Sequence, residues 1–492
     1  MGQSMRGNNK MTTVYQNLDQ QFIHGQWQGG TSTRTIKNIN PYTQSEIFSM
    51  AAASSVDVDS AYTAAEQAFQ QGVLNSTEVR KTVLQNVITI IQQRRDEIID
   101  WLIIESGSTR IKAGVEVDAA LGIILESLAF PDQIQTEQLE SKDPARKSLV
   151  LRKPLGVIAV ISPWNFPFHL SLRSVATAIA CGNTVVLKPA SDTPVTGGTL
   201  IGKLFEEAGL PAGTLNIVAG AGSEIGDYFV EHSVPKMISF TGSTEVGKSV
   251  GSKALASPRI KRLALELGGN APLVILDDAD LDLAVELTLM GRFMHQGQIC
   301  MSTNRVIVDA SIYDAYVDKL LDRIKMIPVG DPNLEDTMIG PIINQSQVKK
   351  HQQIIQTGSE QGAQLVYEGG IEGNLVSPHI FIDVAEDSDL AQQESFGPIL
   401  PILKARDEAH ALNLANATEF GLSSAVCTSN MERGCAFAAQ LDIGMTHING
   451  ISVADQSNAP FGGEKNSGLG RFNGRWIFEE FTRTHWLTVP NS

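Results

Sequence analysis

Residues 156–191, GVIAVISPWNFPFHLSLRSVATAIACGNTVVLKPAS, set the fold class that we expect for this chain. Two β-branched runs, Val157–Ile161 and Thr184–Leu187, lie on either side of a helix-like run, Leu170–Ala180. Alternation of strands with helices predicts a parallel sheet that is wrapped by helices. We therefore expect an α/β fold.

The alternation continues toward the C-terminus in two blocks. The first block adds helix-like Gly197–Ala208 and strand-like Thr214–Val218 and Met237–Phe240. The second block runs from Ala271 to about Leu441. Its strand-like runs are Leu273–Leu276, Arg305–Val308 and Ser424–Cys427, and its helical runs are Leu281–Met294, Tyr313–Lys325 and Glu408–Ala415. Two α/β domains fit this pattern better than one.

Upstream of these blocks the pattern is mainly helical, over Val56–Phe69 and Val79–Ile104. The polar segment Gln133–Lys147 then predicts either a linker or an exposed hairpin. The N-terminal segment, Met1–Gln20, is polar as well. We expect it to form a loose tail.

The composition excludes several classes of protein. The chain has 492 residues, 42% hydrophobic and 19% charged, which is typical of a soluble globular protein with more than one domain. Its net charge of −16 would repel nucleic acids and anionic membranes, so neither is expected as a partner. The four cysteines form no CxxC pair, so we expect no disulfide framework and assign no metal ligand. This cysteine usage, with a polar N-terminus and no long apolar run, predicts a cytoplasmic protein.

Two glycine-rich motifs are typical of phosphate binding. Gly242–Ser249, GSTEVGKS, matches the GxxxxGK[ST] loop of nucleotide hydrolases, and Leu273–Asp278 imitates their strand that ends in a magnesium-binding carboxylate. The position of this motif after several βα units argues against an NTPase, which stays a remote alternative. Gly220–Gly226, GAGSEIG, is close to GxGxxG but has one residue too many. Both motifs would place backbone amides at helix N-termini, where phosphates are favoured.

Three further residues carry groups suited to catalysis. Cys300 in GQICMS has small and polar neighbours, which suits a nucleophile, although a lone cysteine is more often an inert core residue. Glu266 lies between leucines in LELGGN, where burial would raise its pKa and suit a general base; the alternative is a partnered acid at a strand end. Asn165 in PWNFP is held between two prolines, so its amide either donates to an oxyanion or caps a turn.

Seven motifs occur in the order found in aldehyde dehydrogenases. They are PWNFP (163–167), VLKPAS (186–191), FTGSTEVGK (240–248), LELGGN (265–270), GQIC (297–300), ESFGP (394–398) and PFGGEKNSGLGR (460–471). The chain resembles that superfamily over residues 20–490. The resemblance implies that Cys300 attacks the aldehyde to form a thiohemiacetal, and that Asn165 and the Cys300 backbone N–H stabilise the oxyanion. Glu266 would activate the water that hydrolyses the thioester, which favours an acid product over a CoA-acylating variant.

The resemblance also implies that NAD or NADP is the cofactor. Glu394 and Phe396 would hold the nicotinamide and its ribose, Lys188 the adenosine ribose, and Trp164, Gly242 and Ser243 the pyrophosphate. The other expected cofactor-binding residues are Ile161, Ser162, Pro163, Ser191, Gly222, Phe240, Val246, Leu267 and Gly268. Strict NAD users of the family often have a glutamate where this chain has Ser191, so we predict that NADP is tolerated.

The substrate class is suggested by three segments, HLSLRSVATAIA (169–180), GRFNG (470–474) and EEFTRTHW (479–486). They resemble the benzaldehyde and vanillin dehydrogenase branch, and this favours an aromatic aldehyde. The side chains expected to line an apolar substrate tunnel are Phe168, Ile299, Met301 and Phe461. The alternative is an aliphatic aldehyde or succinate semialdehyde, whose carboxylate Arg173 would bind; a surface or interdomain ion pair is an equal alternative for that arginine. A Lys and a Glu that many members use in proton relay are replaced by Ser174 and Arg475.

The family fold implies three parts. A Rossmann-like dinucleotide-binding domain is expected over residues 20–133 and 153–265, and an α/β catalytic domain over 266–460. A small bridging β element, 134–152 with 478–492, is expected to mediate oligomerisation. We therefore expect a homodimer or homotetramer that acts on a small-molecule aldehyde.

Overall fold

The computed structural model describes residues 14–491, and its largest element is an eight-stranded sheet. The spatial order of the strands is Gln26–Gln28, Gln21–Ile23, Leu215–Ile217, Thr184–Lys188, Val157–Ile161, Met237–Thr241, Arg262–Glu266 and Gly468–Leu469. The strands from Leu215–Ile217 to Arg262–Glu266 are parallel. Chain order reverses at Val157–Ile161, which is the Rossmann-like arrangement that leaves a crevice at the carboxyl ends of the strands.

Both faces of this sheet are buried. Ile158 and Val160 point into one apolar core and Val157 and Ala159 into another, which explains the continuous apolar run in the sequence. The helices of this part of the chain are Ser55–Gln70, Thr77–Gln93, Arg95–Ser106, Arg110–Ser127, Phe130–Gln133, Pro167–Ala180, Leu200–Glu207, Asp227–Glu231 and Thr244–Ala256. The helical stretch Val79–Ile104 contains two helices, because the backbone leaves helical geometry at Arg94.

A second sheet has seven strands. Their spatial order is Gln364–Glu368, His379–Ile382, Ile399–Ala405, Thr303–Asp309, Ala271–Ile275, Ser423–Cys427 and Met445–Ile448. All pairings are parallel except that of the edge strand Gln364–Glu368. The accompanying helices are Leu281–Phe293, Tyr313–Ile324, Gln345–Glu360, Asp389–Gln392, Glu408–Asn416 and Met431–Ala438, with a 3₁₀ turn at Met294–Gly297. The second predicted βα block is confirmed.

A three-stranded antiparallel sheet consists of Thr136–Leu139, Arg146–Pro154 and Thr482–Pro490. The polar segment Gln133–Lys147 is thus the hairpin alternative rather than a linker. The last strand follows helix Gly474–Glu480, and its Trp486 side chain is 70% exposed. Smaller two-stranded sheets pair Thr35–Ile39 with Glu46–Ala51, Ile371–Glu372 with Leu375–Val376, and Phe420–Gly421 with Glu464–Lys465. The domain boundaries given above stay predictions.

The expected loose tail is only partly within the described residues. Residues 1–13 lie outside them. From Tyr15 onward the expectation is wrong, because the Tyr15 hydroxyl hydrogen-bonds to Glu207 and buried Leu18 accepts a hydrogen bond from Thr199 Oγ1 at 2.8 Å. In the described part of the chain, no helix combines the length and apolar character needed to cross a bilayer.

Candidate active site

Asn165, Glu266 and Cys300 come together in one cleft. Asn165 follows strand Val157–Ile161, Glu266 is the last residue of strand Arg262–Glu266, and Cys300 follows the 3₁₀ turn Met294–Gly297. The remaining lining residues are Pro163, Trp164, Leu170, Thr241, Gly242, Ser243, Leu267, Gly268, Gln347, Lys350, Glu394 and Phe396. The carboxyl ends of two parallel strands thus deliver an amide and a carboxylate, and the turn before strand Thr303–Asp309 brings the thiol to the same place.

The turn before Cys300 is tightly packed. Its backbone φ is positive at His295, Gln296 and Gly297, and a Cβ on Gly297 would lie 2.5 Å from the Gly397 carbonyl oxygen. A Cβ on Gly269 would lie 2.2 Å from the carbonyl oxygen of Cys300. Glycine is required at both places because a side chain would displace the backbone that presents the thiol.

Cys300 is partly exposed, whereas Cys181 and Cys427 are buried and Cys435 is exposed. Burial and the nearby Glu266 carboxylate raise the pKa of the Cys300 thiol well above its usual value. The resting thiol is therefore protonated, and a base must remove its proton before it can act as a nucleophile.

Glu266 is placed to be that base. Its side chain is 1% exposed, and burial raises its pKa, while the nearby Arg173 guanidinium lowers it. The Oε2 atom lies 3.4 Å from Arg173 Nη2. Within the described residues, Oε1 has no nitrogen or oxygen partner, so it is open to a proton from a thiol or a water.

Asn165 is buried, with its amide held from one side. Its Nδ2 donates a hydrogen bond to the Gln298 carbonyl at 2.9 Å, which uses one of the two amide protons. The second proton can serve an oxyanion formed next to Cys300. Its backbone carbonyl accepts a hydrogen bond from Lys112 Nζ at 2.6 Å.

The cleft and its surroundings fit a dinucleotide. Gly242 and Ser243 join strand Met237–Thr241 to helix Thr244–Ala256, so the N-terminus of a helix lies at the cleft, which favours an anionic phosphate. Lys188 is buried, and the one hydrogen bond of its ammonium group in the described structure is to the Pro189 carbonyl at 3.3 Å. Burial lowers its pKa to about 8. A buried cation without a carboxylate partner suits the hydroxyl groups of a ribose or an anionic group.

The nicotinamide end of such a ligand would meet Glu394 and Phe396. The Glu394 carboxylate accepts a hydrogen bond from the Gly269 N–H at 2.9 Å, and burial raises its pKa to about 7. The Phe396 ring packs edge-on against Trp164, with centroids 5.5 Å apart. The predicted cofactor-binding residues that do not line the cleft are Ile161, Ser162, Lys188, Ser191, Gly222, Phe240 and Val246.

The predicted substrate residues are buried behind the cleft rather than in its lining. Phe168, Ile299, Met301 and Phe461 all belong to the apolar core against which Cys300 packs. Leu170, which does line the cleft, was missed by the sequence analysis. The signal was its position near the start of the helix that directly follows the PWNFP loop.

Arg173 lies against the candidate base. It is fully buried, and its guanidinium stacks over the rings of Phe461 and Phe472 at 4.8 and 4.2 Å while pairing with Glu266. The ion-pair alternative thus describes its position. Ser174 hydrogen-bonds to Ser239 at 2.9 Å, and exposed Arg475 stacks on Trp476, so neither contacts Glu266.

The motif Gly242–Ser249 does not form the lysine-containing phosphate loop of a nucleotide hydrolase. The helix already begins at Thr244, so Lys248 lies within it, 57% exposed and 3.7 Å from Glu419. Asp278 follows a strand of the other sheet and accepts a hydrogen bond from Thr428. These positions argue against the NTPase alternative. The described residues contain no cluster of His, Cys, Asp or Glu able to hold a metal ion.

The family model described as "Aldehyde dehydrogenase family" matches residues 27–487, and the chain belongs to this family. It is 50% identical to a vanillin dehydrogenase of Corynebacterium glutamicum, over 98% of this chain and 100% of that one. It is 46% identical to benzaldehyde dehydrogenase YfmT of Bacillus subtilis, over 97% of this chain and 98% of that one. A crystal structure of an NAD-dependent benzaldehyde dehydrogenase from Corynebacterium glutamicum is similar, with a TM-score of 0.89, 48% identity and coverage of 96% and 97%.

Proposed function

We propose that the protein oxidises an aromatic aldehyde to the carboxylic acid with NAD. The observation that carries this proposal is the convergence of Cys300, Glu266 and Asn165 in one cleft whose other wall includes Gly242, Ser243, Glu394 and Phe396. A nucleophile, a base and an oxyanion donor therefore face the place where a nicotinamide would lie.

In the first half of the reaction, Glu266 removes the thiol proton and the Cys300 sulfur forms a bond to the aldehyde carbon. The carbonyl oxygen becomes an oxyanion, which accepts hydrogen bonds from Asn165 Nδ2 and the Cys300 backbone N–H. When bound, NAD would supply the acceptor for the hydride on this carbon, and loss of that hydride would leave a thioester on Cys300. Glu394 and Phe396 would hold the nicotinamide end, and the N-terminus of helix Thr244–Ala256 would hold the phosphates.

In the second half, Glu266 first gives the thiol proton to solvent, and water then hydrolyses the thioester on Cys300. Glu266 takes a proton from the water, the new C–O bond forms, and the C–S bond breaks to release the acid and the thiolate, to which Glu266 returns the proton. Burial keeps Glu266 basic enough for this task, and Arg173 keeps it from being held permanently in the protonated form.

The aromatic substrate class rests on relatives and on the site. The relatives are named vanillin, benzaldehyde and salicylaldehyde dehydrogenases. The cleft lining includes the apolar side chains of Trp164, Leu170 and Phe396, which suit a flat ring. Arg173, the main support for succinate semialdehyde, is already paired with Glu266, so we do not carry that alternative as a second function.

Cofactor choice and assembly belong to the same proposal. A similar structure is that of an NAD-dependent enzyme. Ser191 puts no carboxylate near Lys188, so NADP is expected to be accepted as well. The antiparallel sheet that exposes Trp486 is expected to pair subunits into a homodimer or homotetramer. A cytoplasmic location is expected from the cysteine usage.

The test is NADH formation by the purified protein with benzaldehyde, vanillin and succinate semialdehyde. We expect the two aromatic aldehydes to have the higher kcat/KM; a clear preference for succinate semialdehyde would contradict the aromatic assignment. Cys300→Ala should abolish turnover while NAD binding, measured by calorimetry, is retained. Full activity of Cys300→Ala would contradict the mechanism.

A further inference from the structure

A buried ion pair lies behind the loop that carries Asn165. Lys112 and Glu116 are one turn apart on helix Arg110–Ser127, with their charged atoms 2.5 Å apart and their side chains 1% and 0% exposed. Burying two charges costs free energy unless every hydrogen-bonding group is satisfied. Neither residue lines the catalytic cleft.

Every proton of the Lys112 ammonium is used. Nζ donates to Ser108 Oγ at 2.9 Å, to Glu116 Oε2, and to the backbone carbonyl of Asn165 at 2.6 Å. The ammonium also lies 4.0 Å from the centre of the Phe166 ring. Lys112 therefore contacts the loop at two neighbouring residues, Asn165 and Phe166.

Glu116 holds the same loop from its other side. Its Oε1 accepts hydrogen bonds from the backbone N–H groups of Phe168 and His169 at 2.9 and 3.2 Å. Helix Pro167–Ala180 begins there and has no side-chain cap of its own, so Glu116 supplies the missing acceptor. The ion pair thus fixes the backbone both at Asn165 and immediately after it.

We propose that the Lys112–Glu116 pair is the positioning device of the oxyanion hole. The inference rests on the proposed function, because it assigns the pair a purpose through Asn165. Donors of an oxyanion hole act only when they lie at hydrogen-bond distance from the place where the charge forms. The pair touches neither substrate nor cofactor, and it acts by holding the Asn165 amide at that distance.

The test compares two reactions of Cys300 in the full-length protein. p-Nitrophenyl acetate acylates the thiol through a tetrahedral oxyanion and releases p-nitrophenolate, whereas iodoacetamide alkylates it by displacement of iodide without one. In Lys112→Met we expect acylation, and kcat for aldehyde oxidation, to fall about 10- to 100-fold, because a small displacement of a catalytic group has this effect. Alkylation should stay within about twofold and KM within about threefold, because the thiol and the binding cleft are unchanged.

Two further variants identify the route of the effect. Asn165→Ala should show the same pattern, and adding Lys112→Met to it should cost no more than about twofold, because the donor is already gone. Lys203 is the matched control: it is mostly buried, pairs with Glu206 at 3.2 Å and lies 3.7 Å from the Trp27 ring, but does not contact the loop. Lys203→Met should leave both rates within about twofold.

Equal slowing of acylation and alkylation in Lys112→Met, or no change in either, would overturn the inference. If Lys112→Met does not fold, Glu116→Gln provides the same comparison with side-chain volume retained. Failure of the proposed function has a different signature: the wild type would then oxidise no aldehyde, while the two thiol reactions would still report on the oxyanion hole.

Discussion

Two buried ion pairs, Lys112–Glu116 and Arg173–Glu266, lie close to the catalytic cleft. They differ in how many of their polar atoms have a hydrogen-bond partner. Lys112 and Glu116 use every ammonium proton and both carboxylate oxygens. Arg173 and Glu266 leave Nε and Nη1 of the arginine and Oε1 of the glutamate without a polar partner among residues 14–491. Unsatisfied buried groups are costly and are kept where chemistry uses them. The difference separates a pair that holds structure from a pair that is open to reaction.

The largest effect is expected for Glu266→Gln, which keeps the size of the open pair and removes its base. The kcat for aldehyde oxidation should fall about 10²- to 10⁴-fold, because Glu266 is the base in both halves of the proposed reaction. NADH formation measures the loss, and mass spectrometry of the quenched enzyme shows which half is slower, because an acyl group retained on Cys300 marks slow hydrolysis. A kcat within about threefold of the wild type would place the base elsewhere.

The next effect is expected for Arg173→Met, which removes the cation of the open pair. Burial raises the pKa of Glu266 and Arg173 opposes that rise, so its removal raises the pKa further. Activity needs the ionised carboxylate and is lost as pH falls through this pKa, so the loss should begin at higher pH in the variant. Near neutral pH we expect kcat to be about tenfold lower.

The pH profile of kcat checks this expectation, with Lys112→Met as the control whose profile should not shift. An unshifted profile in Arg173→Met, with a raised KM only for aldehydes that carry a carboxylate, would show instead that Arg173 binds substrate.

A smaller effect is expected at Lys188, a third buried cation, for which the described structure offers no carboxylate partner. Ser191→Glu places a carboxylate three residues away. Repulsion of the 2′-phosphate should lower kcat/KM with NADP about tenfold, the equivalent of about 1.4 kcal/mol, while the value with NAD changes little. Steady-state rates with both cofactors measure the ratio, and an unchanged ratio would mean that this position does not face the adenosine ribose.

The smallest effect is expected for Lys248→Ala. Lys248 forms an ion pair with Glu419 in which both side chains are exposed, and such pairs contribute about 0–1 kcal/mol to the free energy of unfolding. We expect kcat/KM for aldehyde oxidation and the thermal midpoint to be nearly unchanged. A loss of about tenfold would show that the phosphate-loop motif has a role that its helical position does not indicate.

Four of the eight strands of the first sheet could be predicted because they are short β-branched runs: Val157–Ile161, Thr184–Lys188, Leu215–Ile217 and Met237–Thr241. Val157–Ile161 has the same bounds in the sequence pattern and in the structure. Ile399–Ala405 was missed because Pro401 interrupts its apolar run, and helix Gln345–Glu360 was missed because few of its residues are buried. Periodicity reports burial on one face, so polar helices and interrupted strands give a weak signal.

The candidate catalytic residues could be predicted from their motifs, but the side chains that hold them in place could not be predicted from the sequence. Lys112 and Glu116 have the i, i+4 spacing of an exposed helix surface, and only the packing of Arg110–Ser127 on Pro167–Ala180 buries them. Phe168, Ile299 and Met301 were expected to line the substrate tunnel, but their side chains pack into the apolar core and not into the cleft. The direction of each side chain depends on the local backbone and the packing, which the motifs do not specify.

The hydrogen bond from Asn165 Nδ2 to the Gln298 carbonyl joins a loop of the first sheet to the turn that precedes a strand of the second. The two donors of the oxyanion hole consequently come from opposite halves of the molecule. A slight parting of the halves would dismantle the hole while each sheet stayed folded. Under gentle heating, catalysis should therefore cease before the circular dichroism of the helices changes. During that interval Cys300 should form no long-lived adduct with an aldehyde, because the oxyanion hole that would stabilise the adduct is lost.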